Sequence, residues 1–134
     1  MLPSELQHLV DLSPVHRRLR LTVITADETG VTCRAEPGAE ETGEDNGQFL
    51  HGGVVATLLD AAATFALISA TGTDWSTVDL RTDFLRPAPA GVLLVSGTAV
   101  QAGKRLGRAS ATVSDPASGR LLATGGGTFA KTGA

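Results

Sequence analysis

The hydrophobic and polar positions along this chain change period several times, and each change marks an element. Over residues 3–10 (PSELQHLV), Leu6, Leu9 and Val10 recur at helical spacing, with Pro3 where a first turn tolerates it. Ser13-Pro14 ends that segment. Leu19, Leu21 and Val23 then alternate with Arg18, Arg20 and Thr22, the period of a half-buried strand. Residues 27–30 read as a turn, and residues 31–35 as the returning strand of a hairpin. A polar, acidic stretch without periodicity follows (36–47, EPGAEETGEDNG) and reads as a solvated loop.

At residues 54–70 the pattern becomes VVATLLDAAATFALISA, apolar on nearly every side and rich in Ala and Leu, with no Gly or Pro. That predicts one long buried helix, opened by Gly52-Gly53 and stopped by Thr71-Gly72-Thr73. Its length, together with Thr57, Asp60, Thr64 and Ser69, argues against a membrane span. Alternation then returns over residues 77–85, with Val78, Leu80 and Phe84 on one face and Asp79, Arg81 and Asp83 on the other. Strands over 92–102, 105–115 and 120–130 follow, and the short gaps between these favour antiparallel neighbours. The Gly125-Gly126-Gly127 run lies inside a strand pattern and lacks a following lysine, so it predicts a bulge or a close backbone approach rather than a phosphate loop. The sum is a hairpin, one helix and a meander of about four strands. This is an α+β fold with an antiparallel sheet wrapped around one long central helix.

Composition narrows the class. At 134 residues, 42% hydrophobic and 19% charged, residues 1–134 read as a single globular domain. A net charge of −3 gives no general reason to expect nucleic acid as a partner. Cys33 is the sole cysteine, so no intrachain disulfide forms, and it reads as a small core residue. His8 and His16 are isolated and lack ligand spacing, so no metal site is expected. The N-terminus has no basic start followed by an apolar core, and a cytoplasmic protein is the expectation.

The candidate chemistry sits on the helix. Asp60 is its only charge, and a carboxylate there must be paired or used to offset its desolvation. It is the helix's candidate nucleophile or general base. Gly52 and Gly53 leave backbone N–H groups at the positive end of the helix dipole, where a carbonyl oxygen can approach as in an oxyanion hole. His51 has two readings: a ring that holds the helix entrance, or an acid/base group. Thr57 and Thr64 share the helical face of Asp60 and offer it hydroxyls. Gly52 and Asp60 are separated by about 12 Å at 1.5 Å per residue, so one small carbonyl group cannot touch both. Two antiparallel copies of the helix solve this by setting Asp60 of one subunit opposite Gly52 of the other. A two-fold homodimer with two shared sites is expected.

The string NGQFLHGGVVATLLDAAATFA, followed by TVDLRTDFLRPAPAG and AGKRLGRASATV, resembles the hotdog-fold acyl-CoA thioesterases of the PaaI type. The resemblance runs from about Asn46 to the end, and the N-terminal helix and hairpin fit it. It implies hydrolysis of an acyl- or aryl-CoA thioester to a free carboxylic acid and CoA, with no cofactor beyond the CoA the substrate carries. It also implies a homodimer with dimers often paired into tetramers. By resemblance, Thr64 matches a position that orients the hydrolytic water in one branch, and Thr77 a Ser or Thr used in another. Asn46 or Gln48 stands where the family carries an amide near the thioester. The anionic CoA calls for a local basic patch, for which Arg86, Lys104 and Arg105 are the candidates, with Arg108 and Arg120 behind them. Phe49, Phe65 and Trp75 are candidates for the acyl pocket. Two rivals share the scaffold: a hydratase or dehydratase of acyl thioesters, which would use His51, and a non-catalytic acyl-CoA binding module.

Overall fold

The apolar run folds as helix α3 (Gly52–Thr71), and six strands close around it in the computed structural model, which describes residues 1–132. Ahead of it come α1 (Pro3–Val10), α2 (Pro14–Arg18), β1 (Thr22–Ala26) and β2 (Gly30–Ala35). After it come β3 (Trp75–Phe84), β4 (Leu93–Ala102), β5 (Leu106–Ser114) and β6 (Leu121–Lys131). The sheet order is β1-β2-β4-β5-β6-β3, with every neighbouring pair antiparallel. One antiparallel sheet wrapped around one central helix is the hotdog fold.

Two expectations shift. The strand expected from Arg18 begins only at Thr22, because Pro14 opens a second short helix, a position its fixed φ suits. Arg20, at φ 53°, turns the corner between them. The last four strands are not a simple meander either: β3 lies beside β6 at the sheet edge, while β4 pairs with β2. The connection between β3 and β4 carries Pro87 and Pro89, which suit a long crossing rather than a tight hairpin.

Leu58, Leu59, Ala62, Ala63, Ala66 and Leu67 are fully buried on α3. A Cβ added at Gly97 of β4 would stand 2.1 Å from the Ala62 carbonyl oxygen, so only glycine lets the helix approach so closely. Gly72, at φ 72°, ends the helix. Although α3 has the length and mean hydropathy (1.8) of a membrane span, it is the core helix of this domain and mostly buried within it. Cys33 is a core residue, and burial pushes its thiol up to about 12.

The acidic loop is more ordered than a solvated strip. It contains a 3-10 turn (Ala39–Glu41), and Glu41 accepts from Arg18 Nε at 2.7 Å and from the Gly38 amide at 2.9 Å. The carbonyl of Glu41 also accepts from the His51 amide at 2.9 Å. Thr42 pairs with Leu50, so the loop returns as a narrow ribbon that aims the chain into α3.

Candidate active site

At the start of α3, His51 is the N-cap: its Nδ1 accepts from the Gly53 amide at 2.9 Å, while its carbonyl accepts from Val54 at 2.9 Å. Nδ1 therefore carries no proton in this arrangement. The Gly53 N–H is already engaged, but the Gly52 N–H has no intramolecular acceptor among the described residues. Gly52 is exposed, and the nearest side chain to a Cβ built on it is the Phe84 ring, at 3.6 Å. Of the two glycine amides, only that of Gly52 is left to meet a ligand.

Two turns along the helix, half-buried Asp60 accepts a 2.6 Å hydrogen bond from the Thr77 hydroxyl. Thr77 reaches it because β3 carries a bulge: Thr77 lies opposite Phe129 and Asp79 opposite Thr128, leaving Val78 unpaired. Phe129 is fully buried, so Thr77 shares its helix-facing side, while Val78 is 60% exposed. Strict alternation from Leu80 and Phe84 would instead turn Val78 inward, as the sequence suggested. The threonines on the helix do not serve Asp60: the Thr57 hydroxyl donates to the Gly53 carbonyl at 2.8 Å, and half-buried Thr64 makes no hydrogen bond to it.

Other candidates scatter. Asn46 and Gln48 hold each other, with the Gln48 amide donating to Asn46 Oδ1 at 3.0 Å and Asn46 Nδ2 donating to Gln48 Oε1 at 3.3 Å. Neither bonds Asp60 or Gly52. Arg86 lines two adjoining clefts: one of about 310 Å³ with Leu50, Gly52 and Phe84, and one of about 460 Å³ with Phe49, Asp115 and Arg120. Lys104 and Arg105 are exposed in the β4–β5 turn, where the Arg105 carbonyl accepts from Lys131, the partner of Trp75 in the sheet. They stand at the opposite end of β3 from Arg86. Phe65 and Trp75 are core residues: the Phe65 ring meets His16 edge-on, and the Trp75 indole donates to Thr71 at 2.9 Å beneath Lys131. Phe84 and Leu85, 56% and 51% exposed, flank the helix entrance instead. Their apolar exposure shows only once β3 is known to be an edge strand.

The comparisons with known proteins bear on the same stretch. The family model of the thioesterase superfamily matches residues 47–121, which hold the helix and most of the strands after it. This chain belongs to the thioesterase superfamily. It is a thioester hydrolase. Acyl-coenzyme A thioesterase 13 of Homo sapiens is 30% identical to it over 108 residues, 79% of this chain and 76% of the relative. A thioesterase family protein from Silicibacter pomeroyi superposes with a TM-score of 0.87 at 26% identity, over 98% of both chains. The PaaI protein of E. coli, from the phenylacetic acid degradation operon, shares the fold at a TM-score of 0.85 and 22% identity, covering 99% of this chain and 97% of its own.

Proposed function

We propose that this thioesterase-superfamily chain hydrolyses an acyl- or aryl-CoA thioester, with Asp60 as nucleophile or general base and the Gly52 amide polarising the carbonyl. The observation that carries the reading is the pairing on one helix of a free N-terminal amide with a carboxylate held by a Thr77 hydroxyl. In the general-base form, Asp60 takes a proton from water as the water oxygen bonds to the carbonyl carbon. The C–S bond then breaks, and the thiolate of CoA leaves and takes up the proton. In the nucleophilic form, Asp60 bonds to the carbon and the C–S bond breaks, leaving a mixed anhydride and the CoA thiolate. Water then adds to the anhydride, the acid and the free Asp60 carboxylate are released, and the thiolate takes up the water's proton. Negative charge grows on the carbonyl oxygen in both, where the Gly52 N–H and the helix dipole stabilise it. No cofactor is needed beyond the CoA that the substrate carries.

Both halves serve one substrate only across a homodimer. Thr77 and Asp60 stand near the start of β3, while Phe84 beside Gly52 marks its end. An antiparallel β3–β3 contact about a two-fold axis therefore sets Asp60 of one subunit beside Gly52 of the partner subunit. It also brings Lys104 and Arg105 toward Arg86 of the partner subunit, so the scattered cations converge on the CoA phosphates. The unpaired outer side of β3 and its exposed Val78 and Phe84 support this contact. The hydratase reading loses ground because Nδ1 of His51 is occupied and no carboxylate lies within ion-pair distance of its ring among the described residues.

The test is thiol release from a panel of aromatic and aliphatic acyl-CoAs, wild type beside Asp60→Asn. The expected result is turnover of at least one thioester by wild type, and a loss of about 10² or more in Asp60→Asn with CoA still bound. Binding of acyl-CoA without thiol release by either protein would replace this reading with that of a binding module.

A further inference from the structure

The bulge that turns Thr77 toward Asp60 is itself held by two contacts between β3 and β6. Asp79, the first residue after the bulge, faces away from the helix, and its Oδ1 accepts from the Thr128 amide of β6 at 2.9 Å. That donor lies on the next rung of the ladder from the interruption. A Cβ on Gly127 would stand 2.0 Å from the Asp79 carbonyl oxygen, so β6 accepts the displaced chain only because glycine is there. The carboxylate and the glycine together fix the extra residue at Val78. Moving the bulge one residue toward the start of the strand would present Val78 to Asp60, and valine has no hydroxyl.

We infer that Asp79 is a positioning residue for the hydrolysis, acting through the strand register that presents Thr77 to Asp60. The inference rests on the reading above that the Thr77–Asp60 hydrogen bond assists the reaction. Asp79 touches no substrate; its carboxylate locks the bulge from the far face of the sheet. The acceptor oxygen matters here and the charge does not, so an amide of the same shape keeps the function.

The experiment is a double-mutant cycle on thiol release, with kcat and KM measured separately for Thr77→Ala, Asp79→Ala, Asp79→Asn and the double alanine variant. Thr77→Ala is expected to lower kcat about ten-fold, as loss of one hydrogen bond to a charged group does. Asp79→Ala should lower kcat by about as much as Thr77→Ala and no more, with KM unchanged, and wild-type kcat in Asp79→Ala overturns the inference. Asp79→Asn should stay within about two-fold of wild type, and the double variant should equal Thr77→Ala. Should Asp79→Ala not fold, Asp79→Val, which keeps strand propensity and lacks the acceptor, takes its place in the cycle. A further loss from Asp79→Ala in the Thr77→Ala background overturns the inference and leaves the Thr77 reading standing. So does a large kcat loss in Asp79→Asn. Full activity in Thr77→Ala removes the Thr77 reading and the inference together.

Discussion

The sheet has two edges, and the chain treats them in opposite ways. The β1 edge is short, five residues, and bulged between Val23 and Thr25. It is also capped by a side chain: Gln7 of α1 accepts from the Val23 amide at 2.6 Å and donates to the Leu21 carbonyl at 3.1 Å, as a neighbouring strand would. The β3 edge runs ten residues, has no strand on its outer side among the described residues, and exposes Val78 and Phe84. An open edge with apolar side chains invites pairing, and proteins normally blunt such edges unless they use them. Under the proposed homodimer, blunting at β1 and openness at β3 place the second copy at β3. The edge left open is the one beside Asp60 and Gly52.

The strongest way to break this contrast is to charge the open edge. Val78→Lys with Phe84→Lys places like charges where two β3 strands would meet, so the protein should become monomeric by light scattering. Each monomer then keeps Asp60 and Gly52 about 12 Å apart along one helix, and thiol release should fall at least about a thousand-fold, by analogy with losing the oxyanion donor outright. A dimer that survives with full activity would move the interface elsewhere.

Next in size is a substitution that removes a single donor. Gly52 is the first residue of α3, a position where proline is tolerated, and His51 at ψ 137° already has the extended backbone that precedes proline. Gly52→Pro should leave the helix folded and lower kcat by about 10²–10³. Co-expressed in equal amounts with Asp60→Asn subunits, it also reports on sharing. Random pairing makes about half the dimers mixed, and in each of these one of two sites is intact. Activity should return to about a quarter of wild type. No recovery would mean that each site is built within one subunit.

How much of this was legible beforehand follows from the physics of each signal. Helix α3, its glycine opening and Asp60 stood out because an unbroken Ala- and Leu-rich apolar run, a glycine pair and a lone charge are local properties. Thr77 was placed by family resemblance alone; its own strand pattern pointed it away from the helix. The bulge that reverses it depends on Gly127 and Thr128, some 50 residues on, which a period-2 reading of residues 77–85 does not include. The role of Gln7 was hidden for the same reason: a glutamine on an amphipathic helix carries no mark of the strand edge it covers. Gly53, read as a second donor behind Gly52, is engaged by a contact two residues away, the His51 ring.

On the blunted edge, Gln7→Ala should leave mass and turnover as they are and cost about 1–2 kcal/mol of stability, the value of two hydrogen bonds to backbone groups. Urea unfolding measures it. An effect on thiol release comparable to that of Gly52→Pro would show that the two edges communicate, and the contrast between them would weaken.

The smallest expected effect completes the comparison. Ile24 on β1, 49% exposed, is the counterpart of Val78 on β3, an apolar side chain standing out from an edge strand. Ile24→Lys carries the same added charge as Val78→Lys, but the proposed dimer leaves this edge unpaired. Stability should change by no more than about 0.5 kcal/mol, as for surface substitutions away from special features, with mass and kcat unchanged. If Ile24→Lys dissociated the protein as the β3 variant is expected to, edge charge alone would not identify the interface. If it does nothing while the β3 variant dissociates, exposure of an apolar side chain is not what decides assembly. What decides it is whether the strand's own N–H and C=O groups still lack partners, as those on the outer side of β3 do and the Gln7-capped groups beside β1 do not.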